Sequence, residues 1–363
     1  MEVATYRAKA KIKTEINQIQ FLNQEGQVIK SLPKFAESPD TLLTLYEAMQ
    51  QNRILDERMV NLNRMGKLST YPEATGQEGF SVGVGYAMNS DDYCVYYYRD
   101  QGTQMMRHIK PNEIMAYWGG DERGNHFQNN TTDMPNCVPI ATQYTQAAGV
   151  AFAVKYKEKK NAVVVTGGDG STSKGDFYEA MNVAATWQLP LVFAINNNQW
   201  AISVPLDQQT HTATLAEKAV AVNMPCLQAD GNDIIAVIYA MQLALEHAYD
   251  GRGPTLIEAV SYRRCNHTTA DDATRYQPAE AVKAAQALDP ILRLEKYLLA
   301  QNILTEEKIR IILTRCKDNI QASIDIFLQT PKPKPTDMFD WLYETLPKQY
   351  QEQRQACEGD HDA

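Results

Sequence analysis

Two short runs of unbroken apolar residues, Ala162-Val163-Val164-Val165-Thr166 and Leu191-Val192-Phe193-Ala194-Ile195, constrain what this chain can fold into more than any other feature. Neither alternates polar with apolar, so each reads as a strand buried on both faces, the pattern of a parallel sheet covered by helices. Gly167-Gly168-Asp169-Gly170 breaks the first run. Ser171-Thr172-Ser173 then supplies hydroxyls suited to a helix start, and Asp176 stands three after Ser173 as in a capping box. Phe177, Met181, Ala184 and Trp187 recur at helical spacing. The second run ends in Asn196-Asn197-Asn198, so the unit is strand, helix, strand with a right-handed crossover. Asp169 and Asn198 therefore share one sheet edge.

Neighbouring strands lie about 4.8 Å apart, which lets an oxygen from each of these two loops reach one cation beyond the strand ends. Open parallel sheets bind ligands at that edge. Mg²⁺ takes six hard oxygens and is commonly held by one or two protein oxygens with phosphates and water, a description that one carboxylate and one amide fit. Two other phosphate motifs fit worse. Gly168-Asp169-Gly170-Ser171-Thr172-Ser173 lacks the third glycine of a dinucleotide fingerprint, and Asp169 would repel a bare pyrophosphate; a P-loop needs Gly-Lys-Ser/Thr, whereas Lys174-Gly175 stands in reverse order. An N-cap turn followed by an asparagine-rich loop would explain these residues if they stood alone.

They do not stand alone. Gly168-Asp169-Gly170, Gly175-Asp176-Phe177-Tyr178-Glu179-Ala180 and Asn197-Asn198, with Asn198 29 positions after Asp169, resemble the cofactor motif of thiamine diphosphate enzymes. From about Ile19 to about Pro347 the chain is similar to the alpha subunit of the dehydrogenase component of 2-oxoacid dehydrogenase complexes, the bacterial pyruvate dehydrogenase type in particular. Ile54 to Arg58, Gly76-Gln77-Glu78, Tyr98-Arg99-Asp100, Gln146 to Val150, Gly253 to Glu258 and His267-Thr268 through Tyr276 carry that likeness.

The resemblance implies an α/β thiamine diphosphate-binding fold, a mostly parallel sheet with helices on both faces, plus a helical C-terminal extension. It implies thiamine diphosphate and Mg²⁺ as cofactors. Asp169, Asn198 and Trp200 would be the metal positions; Tyr98, Arg99, Val138, Ile140, Asp169, Gly170, Ser171, Asn198 and His267 would bind the cofactor. Arginine suits a diphosphate because its planar fork gives bidentate, charge-assisted bonds. Around Val138 and Ile140 the chain departs from the family, since Asn136 to Gln143 replaces a glycine-alanine-glutamine run. His267 would be catalytic, bonding an oxyanion or moving protons as neutral or cationic imidazole, in a loop that orders when cofactor binds. Arg263, Arg264 and Arg275 in that stretch are the expected trypsin sites.

The implied reaction is oxidative decarboxylation of pyruvate with acetyl transfer to the lipoyl domain of an acyltransferase core; branched-chain 2-oxoacid or acetoin relatives are the alternatives. The activating glutamate beside the pyrimidine lies in no motif of this chain, and the family takes it from a beta subunit, which implies an alpha2beta2 heterotetramer. A nucleotide-binding dehydrogenase and a degenerate assembly scaffold are the readings from other classes. Retention of Asp169, Asn198, Arg99 and His267 speaks against degeneration.

The chain has 363 residues with a formal net charge of -9, which disfavours nucleic acid and acidic membranes as partners. Cys94, Cys137, Cys226, Cys265, Cys316 and Cys357 are scattered without CxxC spacing and read as reduced thiols. No apolar run nears the roughly 18 residues of a membrane helix. Arg7, Lys9, Lys11 and Lys13 hint at a basic segment, but Glu2 and Glu15 flank them, unlike a transit peptide. A cytoplasmic location is expected.

Three parts are expected: a polar arm over 1–40, carrying Phe21 and Leu22 and lying on a neighbour or on the main domain; the cofactor-binding α/β domain over 41–278; and a helical extension over 279–363. In the last, Leu288, Ile291, Leu292, Leu294, Leu298, Ile309, Ile312 and Leu313 form apolar stripes, and Met338, Phe339, Trp341, Leu342 and Leu346 follow a proline-rich linker. The small residues Ala147, Ala148, Gly149 and Ala151 of a helix over Gln143–Lys157 suit close packing, on this chain's own sheet or, as the resemblance implies, at a subunit interface.

Overall fold

The computed structural model of the chain describes residues 16–340 and 342–358. Arg7, Lys9, Lys11, Lys13 and their flanking acids lie outside them, as does Trp341.

The strands, in chain order, are β1 Gln18–Ile19, β2 Tyr93–Val95, β3 Val163–Gly168, β4 Leu191–Asn197, β5 Trp200–Ala201, β6 Val204–Pro205, β7 Cys226–Asp230 and β8 Thr255–Val260. Six of them make one parallel sheet in the order β1-β7-β8-β4-β3-β2, while β5 and β6 form a small antiparallel hairpin beside it. The two apolar runs are thus central neighbours. Their side chains divide by parity: Val164, Val192 and Ala194 enter one core, and Val163, Val165, Leu191, Phe193 and Ile195 enter the other. A strand that feeds two cores has no polar face, which is why its sequence shows no alternation.

Helices Pro39–Arg64, Glu78–Ala87 and Ile234–Tyr249 supply buried residues to the first core, and helices Thr142–Tyr156 and Gly175–Thr186 to the second. Ala147, Ala148 and Ala151 face this chain's own core, whereas Gly149 is exposed with open space around it. Helix Glu306–Gln329 buries Ile312, Cys316, Ile320 and Ile324, one every fourth residue, in the same core as the sheet. Each buried isoleucine there is worth about 1.5–3 kcal/mol. Leu292, Met338 and Leu342 are exposed instead, so the apolar stripe of the C-terminal stretch is narrower than its composition suggests.

The arm, from residue 16, lies on the main body. β1 adds to the sheet edge, and the N–H groups of Phe21 and Leu22 donate to Asp233 Oδ2 at 2.7 and 2.8 Å. The expected capping box after β3 is absent. A 3-10 turn, Asp169–Ser173, comes first, its hydroxyls bond backwards (Ser171 to the Gly168 oxygen, Thr172 to that of Asp169), and the helix begins at Gly175 without a side-chain cap. Trp187, just past the helix end, is exposed. All six cysteines are free. Among the described residues no helix is long and apolar enough to cross a membrane.

Candidate functional site

Gly168 faces Asn196 in the β3–β4 ladder, and Asn197 faces Val260 in the β4–β8 ladder. The loops that begin at Asp169, Asn198 and Ser261 therefore leave the sheet at one level, and the segment after β2 joins them where the Tyr97 N–H donates to Thr166 Oγ1 at 3.0 Å. One cleft opens there. Its walls include Tyr98, Arg99, Val138, Ile140, Asp169, Gly170, Ser171, Asn198, Trp200 and His267, every position singled out from the sequence.

Asp169 is 1% exposed and its Oδ2 accepts a bond from Gln209 Nε2 at 2.9 Å. Burial raises its pKa above the usual carboxylate range, against the pull of Gln209 and Arg263. A buried carboxylate whose charge burial opposes suits a cation. Gly170 lets β5 come close, since a Cβ there would stand 2.6 Å from that of Ala201. The Ser171 hydroxyl already bonds Gly168 and Tyr144, the latter at 2.6 Å.

Asn198 donates from Nδ2 to Gln77 Oε1 at 2.8 Å, and its Oδ1 accepts from the Trp200 N–H at 3.2 Å. Trp200 is buried and its indole N–H has no partner among the described residues. An indole nitrogen only donates, so any bond from Trp200 to a cation must come from its main-chain oxygen. Among the described residues there is no group of three or more His, Cys, Asp and Glu placed to hold a metal, so a cation here needs oxygens from a ligand as well.

His267 is held by two arginines. Arg99 Nη2 lies 3.1 Å and Arg263 Nη1 3.4 Å from its Nδ1. Both can only donate, so Nδ1 is the acceptor and the ring proton sits on Nε2. Burial, reinforced by the two guanidinium charges, pushes the imidazole pKa down to about 3. At neutral pH this favours a neutral ring that donates from Nε2, one of the two forms expected from the sequence. Arg99 also bonds the main-chain oxygens of Glu73 and His267, and Tyr98 packs its ring edge-on to His267 with centroids 6.2 Å apart.

Arg263 and Gln77 hold cleft residues in place, a part not expected of either from the sequence, where Gln77 stood only in a stretch carrying the family likeness and Arg263 only as a trypsin site. Arg263 is 0% exposed and uses all five donors, on the main-chain oxygens of Trp200, Ile202 and Cys265, on Tyr276 and on His267. It staples the β5 hairpin to the His267 loop. Arg264 is tied to Asp289, so neither arginine is the open trypsin site expected of a loop; Arg275 is exposed. Val138 and Ile140, on the cleft rim, are 43% and 45% exposed.

Residues 46–336 match the family described as the dehydrogenase E1 component. The chain is 38% identical over 345 residues to the pyruvate dehydrogenase E1 component subunit alpha of Staphylococcus aureus, covering 94% of this chain and 92% of the relative. The protein of the same name from Staphylococcus epidermidis is 37% identical over the same length and shares.

Proposed function

Because the chain belongs to the dehydrogenase E1 component family, a family of 2-oxoacid dehydrogenases, we propose that it is the alpha subunit of a pyruvate dehydrogenase that passes an acetyl group to the lipoyl domain of an acyltransferase core. It acts with a beta subunit as an alpha2beta2 heterotetramer in the cytoplasm. Within this reading the arm spans 1–40, the cofactor domain 41–278 and the helical extension 279–363.

The observation that carries the proposal is a buried carboxylate, Asp169, in one cleft with the amide of Asn198 and the Arg99–His267 pair. The donor set fits Mg²⁺ and a diphosphate: hard oxygens from Asp169, Asn198 and the Trp200 main chain for the metal, and unused N–H groups of Arg99 with the Tyr98 wall for the anion. When bound, thiamine diphosphate supplies the electron sink for decarboxylation. The chain's residues supply charge balance and orientation. A cation bound there would keep Asp169 ionised, and His267 would present Nε2–H as a fixed donor where negative charge grows on a substrate oxygen. Its depressed pKa makes it a poor cationic acid.

Steady-state rates of the reconstituted complex with pyruvate and with 3-methyl-2-oxobutanoate test the assignment. A clear preference for pyruvate is expected; preference for the branched acid would move the chain to the branched-chain group.

A further inference from the structure

We propose that Gln77 is a positioning residue that, together with the Trp200 N–H, holds the Asn198 amide with its oxygen available to a bound cation; this rests on the reading of Asn198 as a metal ligand. Gln77 is buried on the segment before helix Glu78–Ala87. Its Oε1 accepts from Asn198 Nδ2 at 2.8 Å and from Asn196 Nδ2 at 3.0 Å. Asn196 in turn accepts from the Ser261 hydroxyl.

The polarity of this chain of amides follows from one main-chain group. The Trp200 N–H can only donate, so the Asn198 atom 3.2 Å from it is oxygen. The other end of that amide is then a donor, and the Gln77 atom it meets must be the acceptor. The same acceptor requires nitrogen from Asn196, whose oxygen turns to Ser261. Flipping any one amide would set two N–H groups or two oxygens against each other in a dry interior.

Gln77 serves its neighbours and not itself. Its own Nε2 is buried without a partner among the described residues. Such an orphan is a liability for stability, and in native proteins it calls for an explanation. Here the reason is that Asn198 Oδ1 keeps a lone pair for a hard cation, while a rotated amide would offer N–H groups that repel one. Neighbours that orient a metal ligand commonly change metal affinity by about 10–100-fold when removed.

The test uses the full chain purified with its partner subunit, thiamine diphosphate added, and Mn²⁺ bound in place of Mg²⁺ and counted by electron paramagnetic resonance. Gln77→Leu removes the acceptor at similar size and is expected to weaken Mn²⁺ by about 10–100-fold. Gln77→Glu keeps an oxygen facing both amides and is expected to hold Mn²⁺ much as the parent does. Parent-like affinity in a folded Gln77→Leu would overturn the proposal, as would a loss in folded Gln77→Glu equal to that in Gln77→Leu. Should Gln77→Leu not fold, Gln77→Glu decides: retained affinity supports the assignment, lost affinity refutes it. Asp169→Asn separates the two levels, because unchanged Mn²⁺ binding there would remove the metal reading itself, whereas loss there with none in Gln77→Leu would remove only the role of Gln77.

Discussion

The guanidinium of Arg99 stands 3.1 Å from Nδ1 of His267, and that contact decides what the histidine can do. A second cation, Arg263, faces the same nitrogen. An imidazolium between two arginines would be a third positive charge in a half-buried site, so the ring stays neutral and its remaining proton points into the cleft.

The folded-state pKa of His267, about 3, lies below the ordinary value of 6.5, so the unfolded chain binds a proton that the folded chain does not as pH falls from 6.5 toward 3. Stability from this group is lost in that window and is constant above it. Nuclear magnetic resonance of the six histidines, with His267 assigned by His267→Gln, is expected to show its signal flat from pH 5.5 to 8. A titration near neutrality would contradict the clamp.

Asp169→Asn is expected to act in opposite directions on binding and on stability. Its raised pKa means that the folded state resists ionisation, so the charge destabilises the cofactor-free protein as pH rises above the ordinary carboxylate value. The neutral amide should raise the melting temperature of the cofactor-free protein. Calorimetry should show Mg²⁺-dependent cofactor binding falling by more than the about 10–100-fold typical of a merely orienting neighbour. Unchanged affinity would sink the metal assignment.

How much was readable in advance varied with the range of the interactions. β3 and β4 announce themselves because strands buried on both faces print continuous apolar runs, and Asp169 and Asn198 follow from where those runs stop. Local hydrogen bonding was less legible: Ser171 and Thr172 look like caps yet close a 3-10 turn, since a hydroxyl can bond back to a carbonyl as readily as forward to an N–H. The buried contacts of Arg263 and Gln77 were opaque. Their partners Trp200, Asn196 and Asn198 lie 63 to 121 residues away, and nothing local marks an arginine or a glutamine as buried.

Limited proteolysis should reflect the burial of the arginines. Trypsin is expected to cut after exposed Arg275, and after neither Arg263, fully buried, nor Arg264, paired with Asp289, whether or not cofactor is present. Cofactor with Mg²⁺ should then slow cleavage at Arg275 alone. Mass spectrometry of early fragments checks this, and an early cut after Arg263 would show that the staple opens readily.

Ile320 joins the C-terminal helix to the sheet's own core. Ile320→Ala should cost about 2–5 kcal/mol and lower a single cooperative transition. A separate early melting phase, seen by calorimetry, would instead mark residues after 279 as an independent unit.

Val138 and Ile140 are 43% and 45% exposed, an unfavourable state for two aliphatic side chains beside a binding site. Among the described residues that line the cleft, the only carboxylate is Asp169, which the metal reading already uses. A cofactor held here would have its diphosphate gripped, its other half open to water and no acid beside its pyrimidine; its carbanion chemistry needs a dry, closed site and that acid. The purified chain is therefore expected to show no decarboxylation of pyruvate with saturating thiamine diphosphate and Mg²⁺, and to gain it when the beta subunit is added and covers the rim. Replacing Val138 and Ile140 by serine should weaken that association more than it weakens metal binding by the chain. If the chain alone, shown by mass spectrometry to be free of any partner, decarboxylates at the rate of the reconstituted tetramer, the divided-site proposal fails and a carboxylate elsewhere in this sequence must be reaching the cleft.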